Sequence, residues 1–367
     1  MTSERRRDAA GVRRLLLVVG LGRSGTSAFT SILGRLGFHV PQPEVRADET
    51  NPRGFGEPRW VVDFHARLMR ERRVTVFDSR PAAWEATADA ATDDAAFEEL
   101  RSWLAVQFVG VDNVVVKDPR IAWFLPLWLR CGDDLGVATS FATMVRHPVE
   151  VVASARRSYG AWQSDASRAA AWLNITLHAE WATRGAGRAF IRYEDVLADW
   201  SREVSRTASL LDLPWLVDVA ASRHPDVDAF VDPSLRRSSA GWEDVAIPPV
   251  LRALLETAWP RVSALASPGG DDGGRRALLD EARAAYVELY SEAEAIAQSS
   301  VTAAKRRREQ SAKRAASVDG DARGEGDAAL VLRIIRRIPP RYRGRVPLPV
   351  RRGLLRTGRS LVRALRR

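Results

Sequence analysis

Four short apolar runs recur within the first 200 residues, and each leads through a polar or glycine-rich turn into a helical pattern. The runs occupy 15–19, 114–116, 137–145 and 189–193. Mainly apolar runs of this length are typical of strands buried on both faces of a parallel sheet. Helical spacing of apolar residues is found over 26–36, 60–72, 97–109, 121–129 and 162–184. This alternation predicts an α/β fold, a doubly wound parallel sheet flanked by helices.

The turn after the first run is glycine-rich and reads GLGRSG from Gly20 to Gly25, with Thr26 and Ser27 opening the next helix. A helix that begins this way presents unpaired amides and the positive end of its dipole to an anion. The spacing is that of a P-loop, but Thr26 stands where a Walker A loop carries lysine. The positive charge comes earlier, from Arg23. The sequence therefore predicts a P-loop-like anion site without the lysine of a nucleoside triphosphatase.

Charged residues also follow the other three apolar runs. Lys117-Asp118-Pro119-Arg120 follows the second run, Arg146 follows the third, and Tyr193 ends the fourth, before Glu194 and Asp195. Ser154 lies eight residues after Arg146, inside the next helical pattern. Arginine can bind a phosphate with two parallel hydrogen bonds, and a nearby hydroxyl can add a third. Because carboxyl ends of parallel strands meet at one edge of a sheet, these side chains are expected at one site.

The order of these motifs resembles that of the sulfotransferases that use 3′-phosphoadenosine 5′-phosphosulfate (PAPS), in particular the bacterial type. The resemblance covers roughly residues 15–240. Its elements are GLGRSGTS at 20–27, NPRGFGE at 51–57, KDPR at 117–120, RHPVEVVAS at 146–154 and RYEDV at 192–196. The resemblance implies transfer of a sulfuryl group from PAPS to an acceptor hydroxyl or amine, with release of 3′,5′-ADP.

The resemblance also implies how the donor is held. The first turn and helix start would bind the 5′-phosphosulfate, Arg146 and Ser154 the 3′-phosphate, and Tyr193 would lie near the adenine. A basic turn at 230–242 occupies the place where the family closes a loop over the 3′-phosphate; a surface charge pair is an equally good interpretation of its arginines. The predicted donor-binding residues are Arg23, Ser24, Gly25, Thr26, Ser27, Arg146, Ser154, Tyr193, Arg236 and Arg237.

Catalysis needs positive charge at the transferred group and a base for the acceptor. Arg23 and Lys117 are the candidates for the charge, and Glu57 is the first candidate for the base. The element KDPR lacks the histidine of the K-x-H motif in the cytosolic class, which leaves Asp118 as the second candidate and His65 as the third. No metal is required, since arginines supply the charge and no carboxylate-rich cluster accompanies the turn.

Two other functions fit part of the sequence. A P-loop kinase of a small molecule would share the strand-turn-helix element, but it is disfavoured by the missing lysine. A membrane-docked nucleotide-binding module that no longer catalyses would share the element and the basic C-terminal segment.

The net charge of +10 is unevenly distributed. Of 56 basic and 46 acidic side chains, residues 301–367 contain 20 and 5, so the first 300 residues carry a net charge of −5. An Ala/Glu/Arg-rich stretch at 277–316 predicts a helical C-terminal extension. The predicted organisation is a basic extension at 1–14, a sulfotransferase domain at 15–300, a charged helix end and linker at 301–327, and a basic amphipathic tail at 328–367.

The tail contains 13 arginines and no acidic residue, with apolar pairs between them. This pattern favours an anionic membrane surface, and a flexible solubilising tail is the next alternative. Nucleic acid is disfavoured because Tyr342 is the tail's single aromatic residue. The single cysteine, Cys131, suits a reducing cytoplasm, and no run reaches the roughly 18 apolar residues of a membrane span. We expect a cytoplasmic enzyme, peripheral on the inner membrane face, with a lipid-linked glycan or glycolipid as the hypothetical acceptor.

Overall fold

A parallel sheet forms the centre of the fold. The computed structural model describes residues 12–160, 162–232, 235 and 240–324, without the side chains of 312–324. Within these residues four strands pair, namely β1 (Arg14–Val19), β2 (Asn113–Lys117), β3 (Ala138–Val145) and β4 (Gly187–Arg192). All neighbours are parallel, in the spatial order β2-β1-β3-β4. The predicted α/β class, a parallel sheet flanked by helices, is confirmed.

The helices fill the connections between the strands and continue after the last one. They are α1 (Thr26–Arg35), α2 (Arg59–Glu71), α3 (Ala82–Ala88), α4 (Asp94–Gln107), α5 (Leu125–Asp134), α6 (Pro148–Tyr159), α7 (Asp165–Ala182), α8 (Tyr193–Ala198), α9 (Trp200–Leu210), α10 (Pro214–Ala221), α11 (Pro225–Phe230), α12 (Pro249–Ala264) and α13 (Gly273–Gly324). Short 3₁₀ turns occupy Asp89–Ala91, Pro119–Phe124 and Trp242–Asp244.

The strands are buried on both faces, which explains why their sequences are mainly apolar. Successive side chains of a strand point to opposite faces. In β1, Leu15, Leu17 and Val19 join one core cluster, which includes residues of α2, α4, α5, α7 and α12. Leu16 and Val18 join a second cluster with α1, α9 and α10. The sheet therefore lies between two layers of helices.

The strand order reverses between β1 and β3. The chain passes from β1 to β2 on one side, then crosses to β3 on the other side and continues to β4. Ligands of open α/β sheets bind at such a point, outside the carboxyl ends of the strands. This topology places the turn that begins at Gly20 directly beside Arg146, which follows β3.

Two helix starts differ from the sequence prediction for local reasons. The predicted helix at 121–129 begins as a 3₁₀ turn at Pro119, because the Asp118 carboxylate accepts the Arg120 amide at 3.1 Å and caps that turn. Helix α4 begins three residues before the predicted start at 97. Its cap is Asp93, whose carboxylate accepts two amides of the first turn, both at 3.1 Å.

The chain divides into two units, residues 1–291 and residues 292–367. Residues 292–324 of the second unit are described as helix, which includes residues 301–324 of the predicted helix end and linker at 301–327. The predicted tail at 328–367 lies outside the described residues, and the predicted domain boundaries stay predictions. Among the helices of the described chain, none combines the length and apolar character that crossing a membrane requires.

Candidate functional site

A cavity of about 400 Å³ lies at the carboxyl edge of the sheet. It is lined by the turn after β1, the segment 51–57 and the residues that follow β2, β3 and β4. The predicted site residues that line it are Arg23, Gly25, Thr26, Ser27, Glu57, Lys117, Arg146, Ser154 and Tyr193. Ser24 and Asp118 are buried outside the lining. Arg236 and Arg237 lie outside the described residues.

The turn after β1 holds an unusual backbone conformation. Arg23 has φ 78° and Gly25 has φ 93°, both in the left-handed region. A Cβ atom on Gly25 would lie 2.1 Å from Cδ2 of Tyr193, so glycine alone lets that ring pack against the turn. Helix α1 then starts at Thr26, and the first amides of a helix have no acceptor within it. Thr26 and Ser27 both line the cavity, where this helix start can bind an anion.

Arg23 and Arg146 belong to one connected group. Arg23 Nε donates to Ser154 Oγ at 3.0 Å, which joins the turn after β1 to helix α6. Arg146 donates to the Arg23 carbonyl at 3.2 Å and to Glu150 at 2.7 Å, and its guanidinium lies 5.0 Å from the centre of the Tyr193 ring. The two halves of the predicted donor site, for the 5′ and 3′ groups, are therefore adjacent.

Lys117 occupies the centre of the site. Its Nζ donates to Glu57 Oε1 at 2.5 Å, to Ser27 Oγ at 3.1 Å and to the Phe55 carbonyl at 3.2 Å. Lys117 and Glu57 are both buried, which strengthens their attraction relative to water. One cation thus adjoins the start of α1 and a carboxylate at the same time.

The segment before Glu57 is folded so that this carboxylate reaches Lys117. Asp48 Oδ1 accepts the amides of Thr50 and Asn51 at 2.8 and 3.0 Å. The hydrogen bond from the Thr50 hydroxyl is the main reason that the Asp48 pKa is lowered. Asn51 Nδ2 donates to the Gly54 carbonyl at 2.5 Å, and the carbonyl of Glu57 itself accepts the Val45 amide at 2.8 Å. The position of Glu57 is therefore fixed by its own loop.

Asp118 and His65, the other candidate bases, are fully buried beneath the cavity. His65 Nδ1 lies 2.8 Å from Asp118 Oδ2, and Trp128 Nε1 donates to His65 Nε2 at 3.1 Å. Because an indole only donates, Nε2 must accept, and the hydrogen-bond network assigns the proton to Nδ1. His65 is thereby a neutral donor to Asp118, with both ring nitrogens engaged.

The carboxylate of Asp118 also has both oxygens engaged. Its Oδ1 accepts from Arg120 NH1 at 2.7 Å and from the Arg120 amide at 3.1 Å. Burial alone would raise the Asp118 pKa, but the charge of Arg120 and the hydrogen bond from His65 outweigh it and lower the pKa. Among the three candidate bases, all within the described chain, the geometry favours Glu57.

Several residues at the site were not singled out from the sequence. Arg120 lines the cavity, as does Arg53, which pairs with Asp232 and donates to the Phe230 carbonyl. Both arginines belong to sequence elements on which the family resemblance rests, NPRGFGE and KDPR, so these motifs could have pointed to them. The aromatic lining residues Phe55, Phe77, Tyr159, Trp162 and Phe230 stand mostly outside such elements. In the part of the chain that the structure describes, no group of three or more His, Cys, Asp or Glu side chains could hold a metal ion.

Comparison with known proteins gives the family. A model described as "Sulfotransferase family" matches residues 16–216, more than half of the chain. The chain belongs to the sulfotransferase family. The predicted family is thereby confirmed, and the protein is a sulfotransferase. The matched span of this sulfotransferase extends from β1 into α10 and contains the cavity residues from Arg23 to Tyr193.

Two further comparisons accompany this match. Among solved structures, the sulfotransferase is similar to the sulfotransferase domain from the Synechococcus PCC 7002 olefin synthase. The identity is 16% and the TM-score is 0.37, over 68% of this chain and 96% of that one. A search of curated protein sequences gives no match.

Proposed function

We propose that this sulfotransferase moves the sulfuryl group of PAPS to an acceptor hydroxyl, or to an amine, and releases 3′,5′-ADP. The observation that carries the proposal is the position of Lys117, which contacts Ser27 at the start of α1 and the Glu57 carboxylate. The group that would neutralise the donor thus adjoins the group that would deprotonate the acceptor.

The chain's cations fit the two anionic ends of such a donor. Arg23, the hydroxyl of Ser27 and the amides at the start of α1 would bind the 5′-phosphosulfate. Arg146 and Ser154 would bind the 3′-phosphate, with the Tyr193 ring beside the adenine. These side chains follow adjacent strands, which is why one nucleotide can reach both groups. The positive charge comes from arginine and lysine, and the proposal includes no metal.

The chain's residues would then act on the acceptor in a single displacement. Glu57 takes the proton of the acceptor hydroxyl while the hydroxyl oxygen forms a bond to sulfur. At the same time the bond from sulfur to the 5′-phosphate oxygen breaks. Lys117 and Arg23 stabilise the negative charge that builds on the departing phosphate. A positioned general base typically contributes 10²- to 10⁴-fold in rate, so roughly this share rests on Glu57. Asp118, in our assignment, positions Arg120 instead of acting as the base.

Several finer predictions rest on the sequence alone. The acceptor as a glycan, a glycolipid or another small metabolite is one of them. Cytoplasmic location, and binding of the tail at 328–367 to an anionic membrane surface, are others. A fractionation assay with and without residues 328–367 tests the membrane prediction, because loss of the tail should release the protein from the membrane fraction.

The donor is tested by calorimetric titration with 3′,5′-ADP and with ATP, each with and without Mg²⁺. We expect preferential binding of 3′,5′-ADP that is indifferent to Mg²⁺. Replacement Arg146→Ala should weaken that binding by roughly 10- to 100-fold, since hydrogen bonds to charged groups contribute about 1.5–3 kcal/mol. The matched control is Arg101→Gln, a surface arginine paired with Asp134 outside the cavity lining, which should bind 3′,5′-ADP normally. Mg²⁺-dependent preference for ATP would favour a kinase, and binding of neither nucleotide would contradict the proposed donor.

A further inference from the structure

One side of the cavity is not used by the proposed donor. The donor would lie along the ends of β1, β3 and β4, between Arg23 and Tyr193. The lining around the end of β2, the edge strand at the opposite end of the sheet from β4, is left unassigned. We assign to it Pro119 and Arg120, which follow β2, together with Val76, Phe77, Tyr159 and Trp162; the Tyr159 hydroxyl also accepts a hydrogen bond from Arg23, where this part of the lining meets the donor half. We call this set the β2-side lining.

The β2-side lining contains a cation, Arg120, whose guanidinium is fixed by hydrogen bonds to buried residues. Asp118 binds its NH1 at 2.7 Å, and His65 and Trp128 complete the buried chain of hydrogen bonds under that carboxylate. A guanidinium has five N–H donors, and the hydrogen bonds between described residues engage NH1 of this one. About a fifth of the Arg120 side chain, 21%, stays exposed at the cavity. Arg120 is therefore a fixed cation with donors to spare.

The rest of the β2-side lining is apolar and aromatic. The rings of Phe77 and Tyr159 meet edge to face, with centres 6.0 Å apart. Gln163 Nε2 donates to the Phe77 carbonyl at 3.0 Å, which ties the segment after α6 to this wall. That segment carries Trp162, whose side chain is 65% exposed. Aromatic rings of this kind offer flat surfaces for another ring or for an apolar body.

We propose that the β2-side lining is the acceptor subsite and that it takes a hydroxyl compound with a ring or apolar body and an acidic group that pairs with Arg120. This inference rests on the proposed function, because that function assigns Arg23, Lys117 and Arg146 to the donor, while Arg53 pairs with Asp232. The arginine fork matches a carboxylate or another planar anion in geometry, and it stays charged at any working pH. Glu57, which also lines the cavity, would meet the hydroxyl of the same molecule.

A matched pair of probes tests the proposal by binding alone. 4-Hydroxyphenylacetate and its neutral analogue 4-hydroxyphenylacetamide are titrated by calorimetry into the full chain saturated with 3′,5′-ADP. We expect the carboxylate to bind about tenfold tighter or better, the gain expected for hydrogen bonds to a charged group. In Arg120→Gln the affinity for 4-hydroxyphenylacetate should fall to that for 4-hydroxyphenylacetamide. Arg120→Lys should retain part of the preference for the carboxylate probe. Arg101→Gln, which removes the same charge outside the lining, should keep the full preference.

Trp162→Ala separates the aromatic wall from the charge. It should weaken both probes by the same factor, because both carry the same ring. If Trp162→Ala weakened binding of the carboxylate probe alone, this role of the aromatic wall would be contradicted.

The proposal is overturned if wild type shows no preference, if the preference persists in Arg120→Gln, or if neither probe binds. It is also overturned if Arg120→Gln weakens 3′,5′-ADP as strongly as it weakens the carboxylate, since Arg120 would then belong to the donor site. Normal binding of 3′,5′-ADP by each variant shows that its cavity is folded. Failure of wild type to bind 3′,5′-ADP would instead refute the proposed function, so the two failures are distinguishable.

Discussion

Glu57 and Asp118 are two carboxylates beside cations near the end of β2, and their surroundings differ. Glu57 lines the cavity and contacts Lys117, which also contacts Ser27 at the start of α1. Asp118 lies beneath the cavity, and Arg120 and His65 occupy both of its oxygens. An incoming anion can compete with Glu57 for Lys117, whereas the hydrogen bonds of Asp118 are enclosed. Both carboxylates have a neighbouring cation, so the difference between the candidate base and the positioning group is whether a ligand in the cavity can reach the carboxylate.

The largest expected effect is on turnover in Glu57→Gln. This change keeps the side-chain shape and removes the group that accepts a proton, so kcat/KM should fall by roughly 10²- to 10⁴-fold. Binding of 3′,5′-ADP should persist in calorimetry, because Lys117 and Arg23 remain. Turnover within a few-fold of wild type would place the base elsewhere and remove the contrast between the two carboxylates.

The next effect is on stability in Asp118→Asn. The new amide cannot accept from both Arg120 and the protonated Nδ1 of His65, and His65 cannot move its proton without losing the bond from Trp128. We expect the free energy of unfolding to fall by about 1–3 kcal/mol, as for a buried polar group left without a partner. Urea denaturation of Glu57→Gln beside it should show a clearly smaller loss, since water can reach the cavity. Equal losses would contradict the distinction.

A pH dependence sharpens the same contrast. The pKa of Asp118 is lowered in the folded protein, chiefly by Arg120 acting against the effect of burial. Its stabilising contribution is complete above the unfolded value of about 4 and is lost as the pH falls through the lower folded pKa. The difference in unfolding free energy between wild type and Asp118→Asn should therefore shrink between about pH 5 and about pH 2. If this difference in unfolding free energy stayed constant over that pH range, the stabilisation could not come from the ionised carboxylate of Asp118.

The smallest effect on the hydrogen bonds around Asp118 is expected from Trp128→Phe, which removes the donor to His65 Nε2. The lost hydrogen bond accounts for about 1 kcal/mol of the expected fall in the free energy of unfolding, and the space left by the smaller ring at this fully buried position adds to it in urea denaturation. The substitution should also weaken the tautomer preference of His65, visible in the ¹⁵N chemical shifts of its ring. Unchanged shifts would mean that Asp118 alone fixes the tautomer.

The strands, and the clustering of the residues that we assign to the donor, were predictable because each follows from a local pattern. Apolar runs located β1 to β4 within one or two residues, and the switch-point rule then placed Arg23, Lys117 and Arg146 at one edge. The proposed acceptor subsite was not predictable in this way. The role of Arg120 depends on buried partners, and His65 lies 53 positions from Asp118 along the chain. No periodicity or motif expresses such a contact.

The contact between Gly25 and Tyr193 has a consequence for how relatives of this chain can diverge. A side chain at position 25 would occupy the space of the Tyr193 ring, whose hydroxyl donates to the Leu235 carbonyl at 2.8 Å. The left-handed backbone at Gly25 adds a second barrier to substitution. Positions 25 and 193 should therefore covary. In relatives, we expect a substitution at one of them to be retained only where the other has also changed.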